Sequence, residues 1–163
     1  MEHVYIAIGS NLGKPLKQAK NAIIALNTIP TSKVINVSST YRTKPLGIQN
    51  QSDFLNMVIL LETNLKPEIL LNYIQKIEFN FGRIRKNERW GPRVLDIDIM
   101  LLGNKTINTP RLIIPHYGLK KREFMLYPLS EIAPDLVFPD GELLSKILTN
   151  TPRNDLRIWA NSI

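Results

Sequence analysis

The sequence predicts one globular domain that mixes helices and strands, of the α+β or α/β class. Three observations predict it: strand-like and helix-like segments interleave along the chain, no internal repeat or Gly/Ser linker divides its 163 residues, and 44% of them are hydrophobic. A chain of this size buries roughly 70% of the surface exposed by its unfolded form. That excludes a disordered tail and a disulfide miniprotein. Residues 1–163 are therefore read as a single domain, with 149–163 as a polar C-terminal tail.

The elements follow in order. His3 to Ile8 reads as the first strand, and Gly9-Ser-Asn-Leu-Gly13 as a turn. Pro15 sits in the first turn of a helix whose Leu16, Ala19, Ile23 and Leu26 make one apolar stripe. Strands are expected at Val34–Tyr41 and Phe54–Glu62, joined by a loop that holds Lys44-Pro-Leu-Gly47. A second helix is expected from Pro67 to Phe81, because Leu70, Tyr73, Ile74, Ile77 and Phe81 keep helical spacing and Gly82 suits a left-handed C-cap. Gln75 and Glu78 then share a polar face. Leu95–Leu102 is an almost continuous apolar run and reads as a buried strand, with Gly103-Asn104 turning into a short Thr106-Ile107 partner. Prolines at 110, 115, 128, 134 and 139 break the remainder into short pieces, the last a helix near Gly141–Leu148.

Composition narrows the chemistry. With no cysteine, there is no thiol nucleophile, zinc ribbon or iron–sulfur site, and a reducing cytoplasmic setting is the natural expectation. Met1-Glu2-His3 leads straight into a strand-like stretch rather than a signal peptide, and no apolar run approaches the ~20 residues that span a bilayer. A soluble chain with no membrane association is expected. The formal charge is +7, and its position matters more than its size. Between Arg83 and Arg122 lie ten cationic residues against Glu88, Asp96 and Asp98, so this window holds the entire excess and calls for an anionic partner.

Asp96-Ile97-Asp98 is the sharpest feature within that window. The two-residue period of a strand puts both carboxylates on one face, while Leu95, Ile97 and Ile99 take the other. Two residues of rise separate them by only ~6.6 Å. Two like charges at that distance repel by about 2.5 kcal/mol at an effective dielectric of about 20, and a divalent cation between them removes the cost. Oxygen ligands suit Mg²⁺, which completes its shell with water and substrate phosphates. A solvated edge strand would let both acids face water, but the apolar Ile99–Leu102 run argues for a covered one.

Two basic clusters flank this strand. Gly82–Arg93 carries Arg83, Arg85, Lys86, Arg89 and Arg93 with Trp90 among them; guanidinium forks match phosphate oxygens and the indole can stack on a heterocycle. Charged loops are often only solvated surface. One that leads directly into a paired-carboxylate strand joins phosphate clamps to Mg²⁺ ligands, the minimum apparatus for moving a phosphoryl-type group. From Arg111 to Arg122 no acid occurs, and His116 stands beside Tyr117, Lys120 and Arg122 as a candidate donor to phosphate. Gly9–Lys14 superficially suggests a P-loop, but only three residues separate its glycines and Pro15 follows the lysine where Ser or Thr is needed.

Arg89-Trp-Gly-Pro-Arg-Val-Leu-Asp-Ile-Asp-Ile-Met100 resembles the signature of the 6-hydroxymethyl-7,8-dihydropterin pyrophosphokinase family of folate biosynthesis. Tyr5–Leu12, Ser39–Thr43 with Pro45-Leu-Gly47, Phe54-Leu-Asn56, and Pro115-His-Tyr117 followed by Phe124-Met-Leu126 extend the likeness, in order, over about residues 3–148. The resemblance implies transfer of the β,γ-pyrophosphoryl unit of MgATP, the co-substrate, to the hydroxymethyl group of the pterin, with release of AMP. It implies that Asp96 and Asp98 hold two Mg²⁺ ions, and that Arg83 and Arg93 clamp the phosphates with Arg85, Lys86 and Trp90 beside them. Gln75, Glu78, Ile99, Arg111, His116, Tyr117, Lys120 and Arg122 match positions around the nucleotide, some through backbone contacts. Thr43, Leu46, Phe54, Asn56 and Phe124 match the pterin pocket, with two rings to sandwich the bicycle and an amide to pair with its edge. Lys44 stands where proline is common, and Ile113 lacks a hydroxyl that some members place near the nucleotide.

The family fold that the resemblance implies is α+β and ferredoxin-like, a mainly antiparallel central sheet flanked by helices in three α/β/α layers. It also implies a monomer acting on small molecules. Two other readings compete. A basic nucleic-acid-binding domain is motivated by the sequence pI of 9.7 and by Trp90 among arginines, but two carboxylates inside the basic patch would repel nucleic-acid phosphates. An inactive nucleotide-binding relative is the other, and the intact Asp96, Asp98, Arg83 and Arg93 argue against it.

Overall fold

The computed structural model describes residues 1–44, 51–82 and 94–163. Eight strands and four α-helices are found among them: β1 Glu2–Ser10, α1 Pro15–Leu26, β2 Ser32–Val37, β3 Thr40–Thr43, β4 Phe54–Thr63, α2 Pro67–Asn80, β5 Asp96–Leu102, β6 Ile107–Asn108, β7 Ile113–Ile114, α3 Glu123–Ile132, α4 Leu144–Thr149 and β8 Arg157–Ala160. A 3-10 turn at Leu119–Lys121 precedes α3. The main sheet runs β5-β1-β4-β3-β8, with β2 beside β3 on the same edge of β4, and every pairing in it is antiparallel. This is the α+β architecture expected.

Alternation along the strands feeds two cores. Val4, Ile6 and Ile8 of β1, Leu55, Met57, Ile59 and Leu61 of β4, and Ile97 and Ile99 of β5 face α1 and α2. Ala7, Val58, Met100 and Leu101 face the opposite way, onto α3 and α4. Helices thus cover both faces, giving three layers. The register between β1 and β5 shifts between Tyr5 and Ile6, where Met100 is the extra residue of a bulge. The bulge lets Met100 and Leu101 both join the α3/α4 core and returns Leu102 to the other.

Both long helices start at a proline, as expected, and α2 ends at Asn80, with Phe81 as its C-cap and Gly82 next at φ +82°. Three details differ from the sequence reading. The strand expected at Val34–Tyr41 is two strands broken at Ser38-Ser39. There the Ser39 N–H donates to Glu131 of α3 instead of to the sheet, while the Ser38 hydroxyl accepts the Val58 N–H and donates to the Ser39 carbonyl. Serine hydroxyls compete with a ladder in this way. Ile107 does not return along β5: β6 pairs with β7 as a separate two-stranded ribbon. The tail is not merely polar, because β8 adds itself to β3, with Arg42 of β3 stacked 4.5 Å over the Trp159 ring.

Candidate active site

The site is built on the α3/α4 face of the sheet, where three strands cross it side by side. Register places Asp96 of β5 opposite Gly9 of β1 and Gly9 opposite Asn56 of β4, so the three residues form one row. Asp98 stands in the next row, opposite Ala7. Both carboxylates are half-buried and share a face, while Ile97 between them is buried in the other core. A β-carbon on Gly9 would already touch its neighbours, 3.9 Å from Asn56 Oδ1 and 4.0 Å from the Asp96 β-carbon. Any larger side chain would stand between the acid and the amide, so glycine keeps that floor open.

Asn56 is buried, and its Nδ2 donates to Thr43 Oγ1 at 3.2 Å. That bond turns the amide and ties β3 to β4 at their open end, where Thr43 lies opposite Phe54. Phe54 is half-buried on the same side of β4 as Asn56, and Phe124 is half-buried in the first turn of α3, which packs on this face. The structure therefore brings Thr43, Phe54, Asn56 and Phe124 to the side of the sheet that carries Asp96 and Asp98. Leu46 lies outside the described residues, as do Arg83, Arg85, Lys86, Trp90 and Arg93.

By hydrogen bonding β5 is an edge strand, though α2 covers one of its faces and Met100 and Leu101 at its end join the α3/α4 core; the enclosure expected for it comes from layers, not from neighbouring strands. Its outer rim is met by side chains and by the chain itself. Glu78 Oε2 accepts the Ile97 N–H at 2.8 Å, and Met100 O accepts the His116 N–H at 3.0 Å. This corrects the expectation that Gln75 and Glu78 share a polar face. Glu78 is only 5% exposed and turned onto β5, since a buried carboxylate needs donors. The Ile99 side chain is likewise in the core, so any contact it makes to a ligand is through its backbone, whose N–H faces the same rim as that of Ile97.

His116 accepts the Gly118 N–H on Nδ1 at 3.1 Å, which leaves the proton of the neutral ring on Nε2. Burial first, then the nearby Arg122 charge, lower its pKa to about 4. At neutral pH it is an uncharged donor. Its ring stacks on the exposed Tyr117 with centroids 4.6 Å apart, and the Arg122 guanidinium lies 5.3 Å from the Tyr117 ring and 5.8 Å from that of Phe124. Arg122 thus spans from the histidine segment to the aromatic wall of α3. Arg111 is gathered elsewhere, against α2, where it donates to Gln75 Oε1. Lys120 is engaged by Asp140 and by Glu142, whose carboxylates hold its ammonium charged.

Sequence reasoning misses Ser10 and Asn11, which it assigns to a turn. Both are buried: Ser10 donates to the Val94 carbonyl at the entry to β5, and Asn11 Nδ2 donates to Gln51 Oε1 and to the Ser52 carbonyl just before β4. They brace the two chain segments entering the site. The signal that could have found them is two polar residues that follow the apolar run Val4–Ile8 at the end of a strand.

Among the described residues no group of three or more His, Asp, Glu or Cys side chains gathers as a metal site. The donor set at Asp96 and Asp98 is two carboxylates on one face, which suits a hard cation that takes its remaining ligands from water and phosphate oxygens. The residues present fit Mg²⁺.

A family model described as 7,8-dihydro-6-hydroxymethylpterin-pyrophosphokinase (HPPK) matches residues 5–134. The 2-amino-4-hydroxy-6-hydroxymethyldihydropteridine pyrophosphokinase of Pseudomonas aeruginosa is 45% identical over 152 residues, which cover 93% of each chain. The protein of the same name from Haemophilus influenzae is 45% identical over 144 residues, covering 88% of this chain and 89% of its own. A crystal structure of an HPPK-DHPS in complex with substrates superposes with a TM-score of 0.72 at 16% identity, over 91% of this chain and 43% of the other. That likeness shows the fold, and this chain spans less than half the length of that one.

Proposed function

We propose that this chain, which belongs to the 7,8-dihydro-6-hydroxymethylpterin-pyrophosphokinase family, transfers the β,γ-pyrophosphoryl group of ATP to 6-hydroxymethyl-7,8-dihydropterin in folate biosynthesis. The hydroxymethyl oxygen bonds to the β-phosphorus, the bond from that phosphorus to the α,β-bridging oxygen breaks, AMP leaves, and the hydroxyl proton is lost to solvent. The observation that carries the reading is the row Asp96, Gly9, Asn56: a metal-competent carboxylate and a fixed amide stand on either side of a residue without a side chain. A flat heterocycle paired to Asn56 then projects its substituent toward the acids.

Asn56 pairs with the pterin edge, its orientation set by Thr43, while Phe54 and Phe124 offer rings to stack on the bicycle and Leu46 adds an apolar contact. Asp96 and Asp98 would hold two Mg²⁺ ions, which would supply positive charge to neutralise the phosphates and to lower the pKa of the acceptor hydroxyl. On the nucleotide side, His116 donates through Nε2–H and Arg122 supplies a fixed positive charge; Gln75, Arg111, Tyr117, Lys120 and the Ile99 backbone complete the surround. Glu78 serves this side by holding β5 at Ile97. Arg83 and Arg93 are assigned to the transferring phosphates, with Arg85, Lys86 and Trp90 supporting them, on the match of their residue types to the family signature. The chain works as a monomer in the cytoplasm, a reducing compartment that a sequence without cysteine suits. No helix among the described residues is long and apolar enough to cross a membrane. Nothing in the comparisons supports a nucleic-acid-binding domain or an inactive relative.

The test is to incubate the protein with MgATP, with and without 6-hydroxymethyl-7,8-dihydropterin, and to separate the nucleotides by chromatography. Pterin-dependent AMP is expected. ADP would mean simple phosphoryl transfer, and no nucleotide turnover would leave only binding.

A further inference from the structure

Arg111 lies in the connection between β6 and β7, and three side chains from one face of α2 grip it. Nη1 donates to Glu68 Oε2 at 3.1 Å, and Nη2 donates to Asn72 Oδ1 at 2.6 Å and to Gln75 Oε1 at 3.1 Å. The spacing of four and then three residues aligns these acceptors along the helix. Glu68 is itself braced, because its other oxygen accepts the Thr109 hydroxyl at 3.2 Å. The Arg111 side chain is nonetheless 46% exposed. An arginine so exposed ordinarily samples many rotamers, and ordering it on binding costs affinity. Here the plane of the guanidinium is fixed beforehand.

The grip has a second consequence. Both Nη2 hydrogens are directed at amide oxygens, and one of those oxygens belongs to Gln75. With its oxygen on Arg111, the Gln75 amide turns its two-proton nitrogen away from the arginine. The Arg111 hydrogens not spent on α2 and the Gln75 amide nitrogen together offer donors, a surface that suits the acceptor oxygens and ring nitrogens of a nucleotide.

We infer that Glu68 and Asn72 are positioning residues for nucleotide binding: they hold Arg111 and, through it, orient the Gln75 amide as a donor. The inference rests on the assignment of Gln75 and Arg111 to the ATP side. Neither Glu68 nor Asn72 needs to touch the ligand. A merely structural ladder, tying the β6–β7 ribbon to α2, would make a different prediction.

The experiment compares Asn72→Ala, Glu68→Gln, Arg111→Ala and the double variant Asn72→Ala/Arg111→Ala. Steady-state constants for both substrates, thermal midpoints, and equilibrium binding of a non-hydrolysable ATP analogue are measured for each. Asn72→Ala is expected to raise the KM for ATP and the analogue Kd by about three- to tenfold, the net effect of one typical hydrogen bond. Glu68→Gln keeps an acceptor and moves the same quantities less. The pterin KM and kcat stay within about twofold. In the Arg111→Ala background, Asn72→Ala adds nothing further. Equal effects of Asn72→Ala in both backgrounds overturn the positioning role, as does a loss in which both KM values and the thermal midpoint move together. An Arg111→Ala protein that binds the ATP analogue as tightly as the parent overturns the inference through its premise, the placement of the nucleotide, and is distinguishable because Arg111 itself is then silent.

Discussion

The carboxylate of Glu78 accepts the N–H of Ile97, the residue between the two aspartates, at 2.8 Å. One helix thereby holds the strand that carries both acids. Glu78→Leu would leave that N–H without its acceptor inside a covered rim, a cost of about 1–3 kcal/mol, whereas Glu78→Gln retains an oxygen to accept it. The expected order of stability in urea denaturation is parent, Gln variant, Leu variant, with Mg²⁺-dependent turnover declining in the same order. A Leu variant as active and stable as the parent would show that the bond is incidental.

Asp98→Ala removes one of the two acids that share the site face, without opening a void in either core. Pterin-dependent AMP formation should fall by at least about two orders of magnitude, on the scale typical for losing a group that stabilises transition-state charge. The urea midpoint should stay near that of the parent, because the side chain belongs to neither core. Retained turnover would sink the two-carboxylate reading.

His116 has a pKa lowered to about 4 against an ordinary value of 6.5, through burial and then through Arg122. Above pH 6.5 native and unfolded chains both carry a neutral ring. Between 6.5 and about 4 the unfolded chain binds a proton that the native one refuses, so acidification through this window destabilises the fold, and stability rises as pH returns to 6.5. His116→Asn should flatten that part of the stability profile, measured by urea denaturation at intervals of pH. An unchanged slope would place the pH dependence elsewhere.

Trp159 lies under Arg42, which also pairs with Asp53 at 3.4 Å; Asp53 in turn reaches Arg157 of β8 at 3.5 Å. The C-terminal strand is thus fastened to β3, whose far end carries Thr43. Trp159→Ala should lower stability by about 1–3 kcal/mol, from lost packing and cation–π attraction. The KM for the pterin should rise in the same variant, since Thr43 orients Asn56. If stability falls and that KM is unmoved, β8 supports the sheet without reaching the site.

The aspartate pair shows how much the order of residues specifies on its own. A period of two, apolar residues at Leu95, Ile97 and Ile99, and acids between them define a strand and its faces, because alternation is local geometry. The same holds for the helix starts at Pro15 and Pro67 and for the left-handed Gly82 just past the end of α2, where backbone stereochemistry acts within a few residues. The residues proposed for the site are drawn from the sequence too, through their likeness to a family signature.

Glu78 marks the other side of the divide. Helical spacing places it beside Gln75, yet whether it faces water or β5 depends on a backbone N–H nineteen residues away in sequence. The break at Ser38-Ser39 depends on Glu131 of α3, and the conversion of the tail into β8 depends on an open edge of β3. Local periodicity, caps and charge were determined by the sequence itself, since each acts through neighbours along the chain. Where a polar group finds its partner, and so which acid holds a strand and which row forms the floor of the site, was decided only when distant segments packed, because burial compels pairing without naming the partner.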